Sequence, residues 1–82
     1  MTKTITGKLK LKYRNDGSIY DYEDIIDDGL DIDIRKPDFG FINDYYVPKY
    51  LLEKNYIISN LDVEAQVLFN GEKWSVFNIR RI

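Results

Sequence analysis

Apolar and polar residues alternate along much of this chain with the period of two that marks half-buried strands. The first such run is Lys8-Leu9-Lys10-Leu11-Lys12-Tyr13, and a second follows it across Asp16-Gly17. Asp-Gly is favoured in a two-residue hairpin loop because both positions need φ > 0. Folding there sets Asn15 opposite Ser18, Arg14 opposite Ile19, Tyr13 opposite Tyr20 and Lys12 opposite Asp21. Continued further, the same register pairs Leu11 with Tyr22 and Lys10 with Glu23. One face is then Leu11, Tyr13, Tyr20 and Tyr22, and the other carries two opposite-charge pairs. The pattern predicts a strand over residues 18–23, with a helix over residues 21–30 as the alternative.

Leu30, Ile32 and Ile34 alternate with Asp31, Asp33 and Arg35, which predicts a further strand that Lys36-Pro37-Asp38 then breaks. Phe39-Gly40-Phe41-Ile42 and Tyr45-Tyr46-Val47 read as two strands joined through Asn43-Asp44. That register sets Phe41 across from Tyr46, Phe39 across from Pro48, Ile42 with Tyr45 and Val47 beside Gly40. Phe39, Phe41 and Tyr46 therefore share one face. Pro48 ends the strand and suits the first turn of a short helix near residues 49–54. Near the C-terminus, residues 63–69 and 72–79 flank Asn70-Gly71, another strong hairpin signal. A two-residue turn there pairs Val67 with Trp74 and Ala65 with Val76, and sends Phe77 and Ile79 to the opposite face.

Composition narrows the chemistry. The 82 residues include no cysteine and no histidine, so there is no disulfide framework, no thiolate metal site and no imidazole base. Apolar residues make up 44%, enough to argue for a folded core rather than disorder. No apolar run approaches the roughly 20 residues of a membrane span, and the N-terminus shows no apolar leader core. The expectation is one cytoplasmic domain that is not an enzyme. The net charge of −2 is laid out unevenly. Residues 1–14 carry five basic groups and no acid, whereas residues 15–44 carry ten acids against Arg35 and Lys36, a balance of −8. Such a block is either a solvated face or a surface that repels phosphate or imitates it.

No catalytic or metal motif survives inspection. With Gly29 at the invariant glycine of a calcium loop, Asp24 and Asp28 fit, but Ile26 occupies a ligand position and Arg35 the bidentate glutamate position. The five glycines are scattered singly, so no phosphate-cradling loop exists. Ser18, Ser59 and Ser75 have no histidine to activate them. Neither a cofactor nor a metal is expected.

The shared face of Phe39, Phe41 and Tyr46 is open to two readings. Aromatics alternating outward on adjacent strands are how sheet-based modules stack single-stranded bases. The same alternation also fits an ordinary core face, covered by the helix or by the N-terminal hairpin.

Phe39-Gly40-Phe41-Ile42 resembles the first ribonucleoprotein motif of cold-shock domains, and Asp44-Tyr45-Tyr46-Val47-Pro48 resembles the second. The proline is closest in flavour to the cold-shock domains of the transcription terminator Rho and of the RNase II and RNase R exonucleases. Leu51 and Leu52, then Leu61-Asp62-Val63 and the closing Phe77-Asn78-Ile79, follow the same order. The similarity covers residues 29–82 with a first strand at Gly29, preceded by the hairpin and acidic segment of residues 1–28. A rival alignment starts that strand at Gly7 and makes residues 16–36 an insertion. The chain departs from the family pattern at Asp38, which follows a proline, and in lacking a histidine after Val47.

The resemblance implies an all-β fold, a small OB-like five-stranded barrel with one short helix and an extra N-terminal β-hairpin. It implies binding of single-stranded RNA or DNA, with Phe39, Phe41 and Tyr46 stacking on bases and Lys49 as a further contact. The alternative is a protein-binding or inhibitor module, whose acidic segment imitates nucleic acid and engages a basic protein partner.

Overall fold

Asp16 and Gly17 have φ of 52° and 80°, the left-handed pair that a two-residue hairpin needs. Across them β1 (Thr2–Asn15) and β2 (Ser18–Asp21) pair with Lys12 opposite Asp21 and Tyr13 opposite Tyr20, the expected register. In the computed structural model, which describes Met1–Ile82, the remaining elements are α1 (Tyr22–Asp28), β3 (Phe39–Ile42), β4 (Tyr45–Val47), α2 (Lys49–Lys54), β5 (Leu61–Phe69) and β6 (Trp74–Arg81). All strand pairings are antiparallel, in the order β4-β3-β1-β5-β6, with β2 also on β1. The fold is all-β and barrel-like, with two short helices where one was expected. No helix is long and apolar enough to cross a membrane.

β1 organises everything else. One of its edges takes β3 along Leu9–Lys12; the other takes β5 along Thr2–Leu9 and then β2 along Lys12–Asn15. Between β5 and β2 the Leu11 N–H would be left without a ladder partner. It donates instead to Asn60 Oδ1 at 2.8 Å, and the Asn60 amide donates in turn to Glu23 Oε1 at 2.7 Å. This split edge is why the β2 strand stops at Asp21, so the expected pairs Leu11–Tyr22 and Lys10–Glu23 do not form. The chain turns into α1, with Glu23 and Asp24 in its first turn, where carboxylates suit the positive end of the helix. Asp21 stands at the N-cap, but its carboxylate is held by Lys12 and makes no capping bond.

The strand expected over Leu30–Ile34 is absent, because both edges of β1 are already occupied. These residues form an irregular covering segment, and the alternation reflects burial without a ladder. Leu30, Ile32 and Ile34 are half-buried against the core. The Ile34 carbonyl accepts the Tyr13 hydroxyl at 2.8 Å, and the Asp38 N–H donates to the Lys12 carbonyl. Of the two placements for the first barrel strand, the fold therefore has the one that runs through Gly7.

The C-terminal hairpin differs from expectation in register. Phe69 pairs with Trp74 and Val67 with Val76, so Asn70–Lys73 form a four-residue connection. Asn70 Oδ1 accepts from the N–H groups of Glu72 and Lys73 at 3.0 and 3.1 Å, and Gly71 takes φ of 97°. This side-chain-closed turn outcompetes the two-residue one. A β-bulge then follows between Gln66 and Val67, after which Gln66 pairs with Asn78 and Ala65 with Ile79. The extra residue re-phases β6, burying both Val76 and Ile79 while Phe77 stays on the surface.

Inward residues of β1, β3, β4, β5 and β6 make a core around Leu9, Leu11, Ile42, Val47, Val63 and Val67, closed by Ile25 of α1 and by Leu51 and Leu52 of α2. Gly40 lets β3 press onto β1: a Cβ there would lie 3.1 Å from both a Leu9 methyl and the Lys10 carbonyl. β4 and β6 approach without a ladder. Side chains close that gap, since the Tyr45 and Trp74 rings meet edge-to-face at 6.5 Å and Lys3 Nζ sits 4.4 Å from the Trp74 centroid.

Tyr13 is buried in this core, and desolvation pushes its pKa up to about 12, helped by electrostatic interaction with Tyr22 and Asp33.

Candidate nucleic-acid interface

The Asn43-Asp44 connection forms as expected, with Asn43 at φ of 54°. Its register sets Phe41 opposite Tyr46, Ile42 opposite Tyr45 and Gly40 opposite Val47. Ile42 and Val47 point inward and are fully buried. Period-two alternation sends Phe39, Phe41 and Tyr46 outward together. Their ring centroids form a near-equilateral triangle with sides of 5.8, 5.7 and 6.0 Å. Phe39 and Tyr46 stack at 29°, and Phe41 meets both edge-on. None of the three belongs to the core cluster or packs against it: Tyr46 is 53% exposed, and the two phenylalanines are half-buried and in ring contact with each other and with Tyr46.

The structure also settles what lies beside these rings. Lys10 is directly opposite Phe41 and Lys12 directly opposite Phe39, and opposite residues of an antiparallel pair share a face. Lys12 is engaged by Asp21, as the first hairpin predicts. Lys10 is exposed and has no carboxylate within ion-pair distance. Its expected partner, Glu23, lies in α1 and accepts from Asn60 instead. The signal for this cation was present in the alternation of Lys8, Lys10 and Lys12 with Leu9 and Leu11. Read against β2 the lysines look neutralised; read against β3 one of them borders an aromatic surface.

Tyr46 also forms one wall of a shallow groove lined by Pro48, Tyr50 and Trp74, with Lys73 at its rim. Tyr50 is 61% exposed, so the aromatic surface continues from β3 and β4 toward β6. Sequence reasoning did not connect Tyr50 and Trp74 to the trio, because the approach of β4 to β6 is a long-range feature. Lys49 is exposed at the start of α2 and lines a different cleft, with Arg35 and Lys36, rather than this groove.

The acidic segment sits on α1 and the loop after it. Asp24, Asp27, Asp28 and Asp31 are exposed and lie outside every ion pair in the molecule. Asp33 is different: Arg35 donates to it from Nε at 3.0 Å, from Nη2 at 3.2 Å and from the backbone N–H at 3.0 Å. Those bonds hold its carboxyl below the usual carboxylate range.

No protein-family model, no curated protein and no solved structure matches the chain.

Proposed function

We propose that the protein is a non-catalytic module for single-stranded RNA or DNA, which stacks bases on Phe39, Phe41 and Tyr46. The observation that carries this reading is the aromatic triangle outside the core cluster, with Tyr46 exposed and an unpaired lysine, Lys10, opposite Phe41. Three neighbouring aromatics left on the surface of a small domain cost solubility and contribute little to the core. A stacking platform accounts for their placement, since every base offers a π-face and each stacked base adds about 1–3 kcal/mol. Lys10 supplies charge beside the platform without reading sequence. The cold-shock resemblance agrees with this assignment, as the same residues fall on its two motifs.

The test is titration of the protein with short single-stranded RNA and DNA at two salt concentrations. Binding that weakens with salt is expected, with a log–log slope of about −0.7 for each phosphate neutralised. Absence of binding to any oligonucleotide would sink the proposal.

One observation favours a second reading, in which the acidic segment engages a basic protein partner. Asp27 and Asp28 stand in the last turn of α1, which carries no basic residue. Carboxylates there oppose the helix dipole, so local stability does not explain them. Neutralising Asp24, Asp27, Asp28 and Asp31 together should abolish partner binding under this reading. Under the first reading the same change leaves oligonucleotide affinity unchanged or raises it, by removing repulsion from phosphate.

A further inference from the structure

Beyond the open end of the β3–β4 hairpin, Pro37 and Lys49 line a cleft of about 400 Å³, within the size range of small-ligand sites. Its floor is apolar, with Pro37, Leu52 and Ile57 all buried. Its rim is cationic. Arg35, Lys36 and Lys49 line it against a single carboxylate, Glu53. Arg35 is committed to Asp33, whereas Lys36 and Lys49 have no carboxylate within ion-pair distance. In a chain of net charge −2, two unpaired lysines lining one cleft with an apolar floor suit an anionic occupant.

The remaining wall is Tyr56, and its backbone is out of place. α2 ends in a Schellman motif: the Ile57 N–H donates to the Leu52 carbonyl and the Tyr56 N–H to the Glu53 carbonyl. Tyr56 occupies the left-handed position of that motif, at φ of 51°, where glycine is the usual residue because it has no Cβ to strain. Both capping bonds come from backbone N–H groups, which glycine would donate equally well. The tyrosine ring is 65% exposed and adds nothing to the core. What it adds is an aromatic wall at the cleft. Strained residues held in place by their surroundings concentrate at ligand sites.

We propose that this cleft binds a nucleotide, with the phosphate between Lys36 and Lys49 and the base against Tyr56 and the apolar floor. Two ammonium groups suit a phosphate as point charges, and a phenol ring offers a face for stacking. The Glu53 carboxylate, which accepts and does not donate, suits a ribose hydroxyl or an exocyclic amino group. The assignment is independent of the aromatic platform. The nucleotide comes either as a free monophosphate or as the 5′-phosphorylated end of a strand.

Amide chemical-shift titration with AMP and UMP tests it, with adenosine and inorganic phosphate as controls. In a parallel arm, 5′-phosphorylated and 5′-hydroxyl oligonucleotides of one sequence are compared. The monophosphates should shift Tyr56, Ile57 and Ile58, and should bind at least 10-fold more weakly to the Lys36→Ala/Lys49→Ala variant. If only the phosphorylated strand is preferred, and that preference disappears in the same variant, the ligand is a strand end. Tyr56→Gly is the decisive variant: its thermal midpoint should rise, by about 4 °C or more, while nucleotide affinity falls at least 10-fold. Amide shifts at Tyr56, Ile57 and Ile58 report the cleft and those at Phe39, Phe41 and Tyr46 report the platform, so failure of the platform and failure of the cleft are read separately. The inference is overturned if neither free monophosphates nor 5′-phosphorylated ends engage the cleft. It is equally overturned if inorganic phosphate binds as tightly as the nucleotides, or if Tyr56→Gly binds them like the wild type.

Discussion

Replacing Tyr46 by threonine separates the proposed stacking role of the aromatic triangle from its structural role. Threonine retains the strand preference of a β-branched residue and deletes the ring. Tyr46 is 53% exposed and contributes nothing to the buried cluster of 14 core residues. Its ring meets Phe39 at 5.7 Å and Phe41 at 6.0 Å. Aromatic pairs add about 0.5–1.5 kcal/mol each, so loss of the two pairs in Tyr46→Thr should lower folding stability by about 1–3 kcal/mol. Truncating a buried aromatic costs about 3–5 kcal/mol, from the upper end of that window upward. Loss of one stacked base weakens binding by about 1–3 kcal/mol, or about 5- to 150-fold. Urea denaturation and fluorescence anisotropy on the same preparation measure the two quantities. Phe39 and Phe41 are less clean probes, since they are half-buried and their loss disturbs both. Lys10→Gln is the companion variant, expected to leave stability unchanged and to reduce the salt slope by about 0.7. Oligonucleotide affinity within twofold of the wild type for Tyr46→Thr would refute the platform. A stability loss of core size would show that the ring's work is structural.

Three further outcomes test the fold itself. Because the folded-state pKa of Tyr13 is raised from 10.0 to about 12, the folded protein holds that proton more tightly than the unfolded chain. The stabilisation is complete below pH 10 and is lost as the pH climbs toward 12, amounting to about 2–3 kcal/mol; denaturant midpoints should fall over this window, and the fall should be shallower in Tyr13→Phe. Gly40→Val should destabilise by about 1–3 kcal/mol, since even its Cβ would meet the Leu9 methyl and the Lys10 carbonyl at 3.1 Å; an unchanged midpoint would mean that β3 and β1 are not so closely apposed. A double-mutant cycle of Lys12→Ala and Asp21→Ala should give a favourable coupling of about 0.2–1 kcal/mol that weakens in salt, and zero coupling at low salt would count against the first hairpin's register.

Local chemistry alone determined those parts of the protein where a turn dictates its own geometry. Asp16-Gly17 and Asn43-Asp44 are two-residue loops whose left-handed residues leave little choice of register. The pairs Lys12–Asp21 and Phe41–Tyr46 followed directly from them. So did the sharing of one face by Phe39, Phe41 and Tyr46, because period-two alternation needs no information from elsewhere in the chain. Asn70-Gly71 shows the limit of that reasoning. A side chain that can close a longer turn, and a bulge that re-phases β6 to bury both Val76 and Ile79, are decided by the core they serve.

Competition for the edges of β1 was beyond local reading altogether. Leu30, Ile32 and Ile34 have the pattern of a strand, yet β2, β3 and β5 occupy both edges of β1, and these residues bury their side chains without pairing. The same competition moved Glu23 into a helix, left Lys10 without its expected carboxylate and set it opposite Phe41. Tertiary structure likewise assembled the cleft of Lys36, Lys49 and Tyr56, whose members are spread over residues 36 to 56. Turn preferences act over four residues and are printed in the sequence. Which strand takes an edge is settled by the whole chain, since each position along that edge can ladder with only one partner.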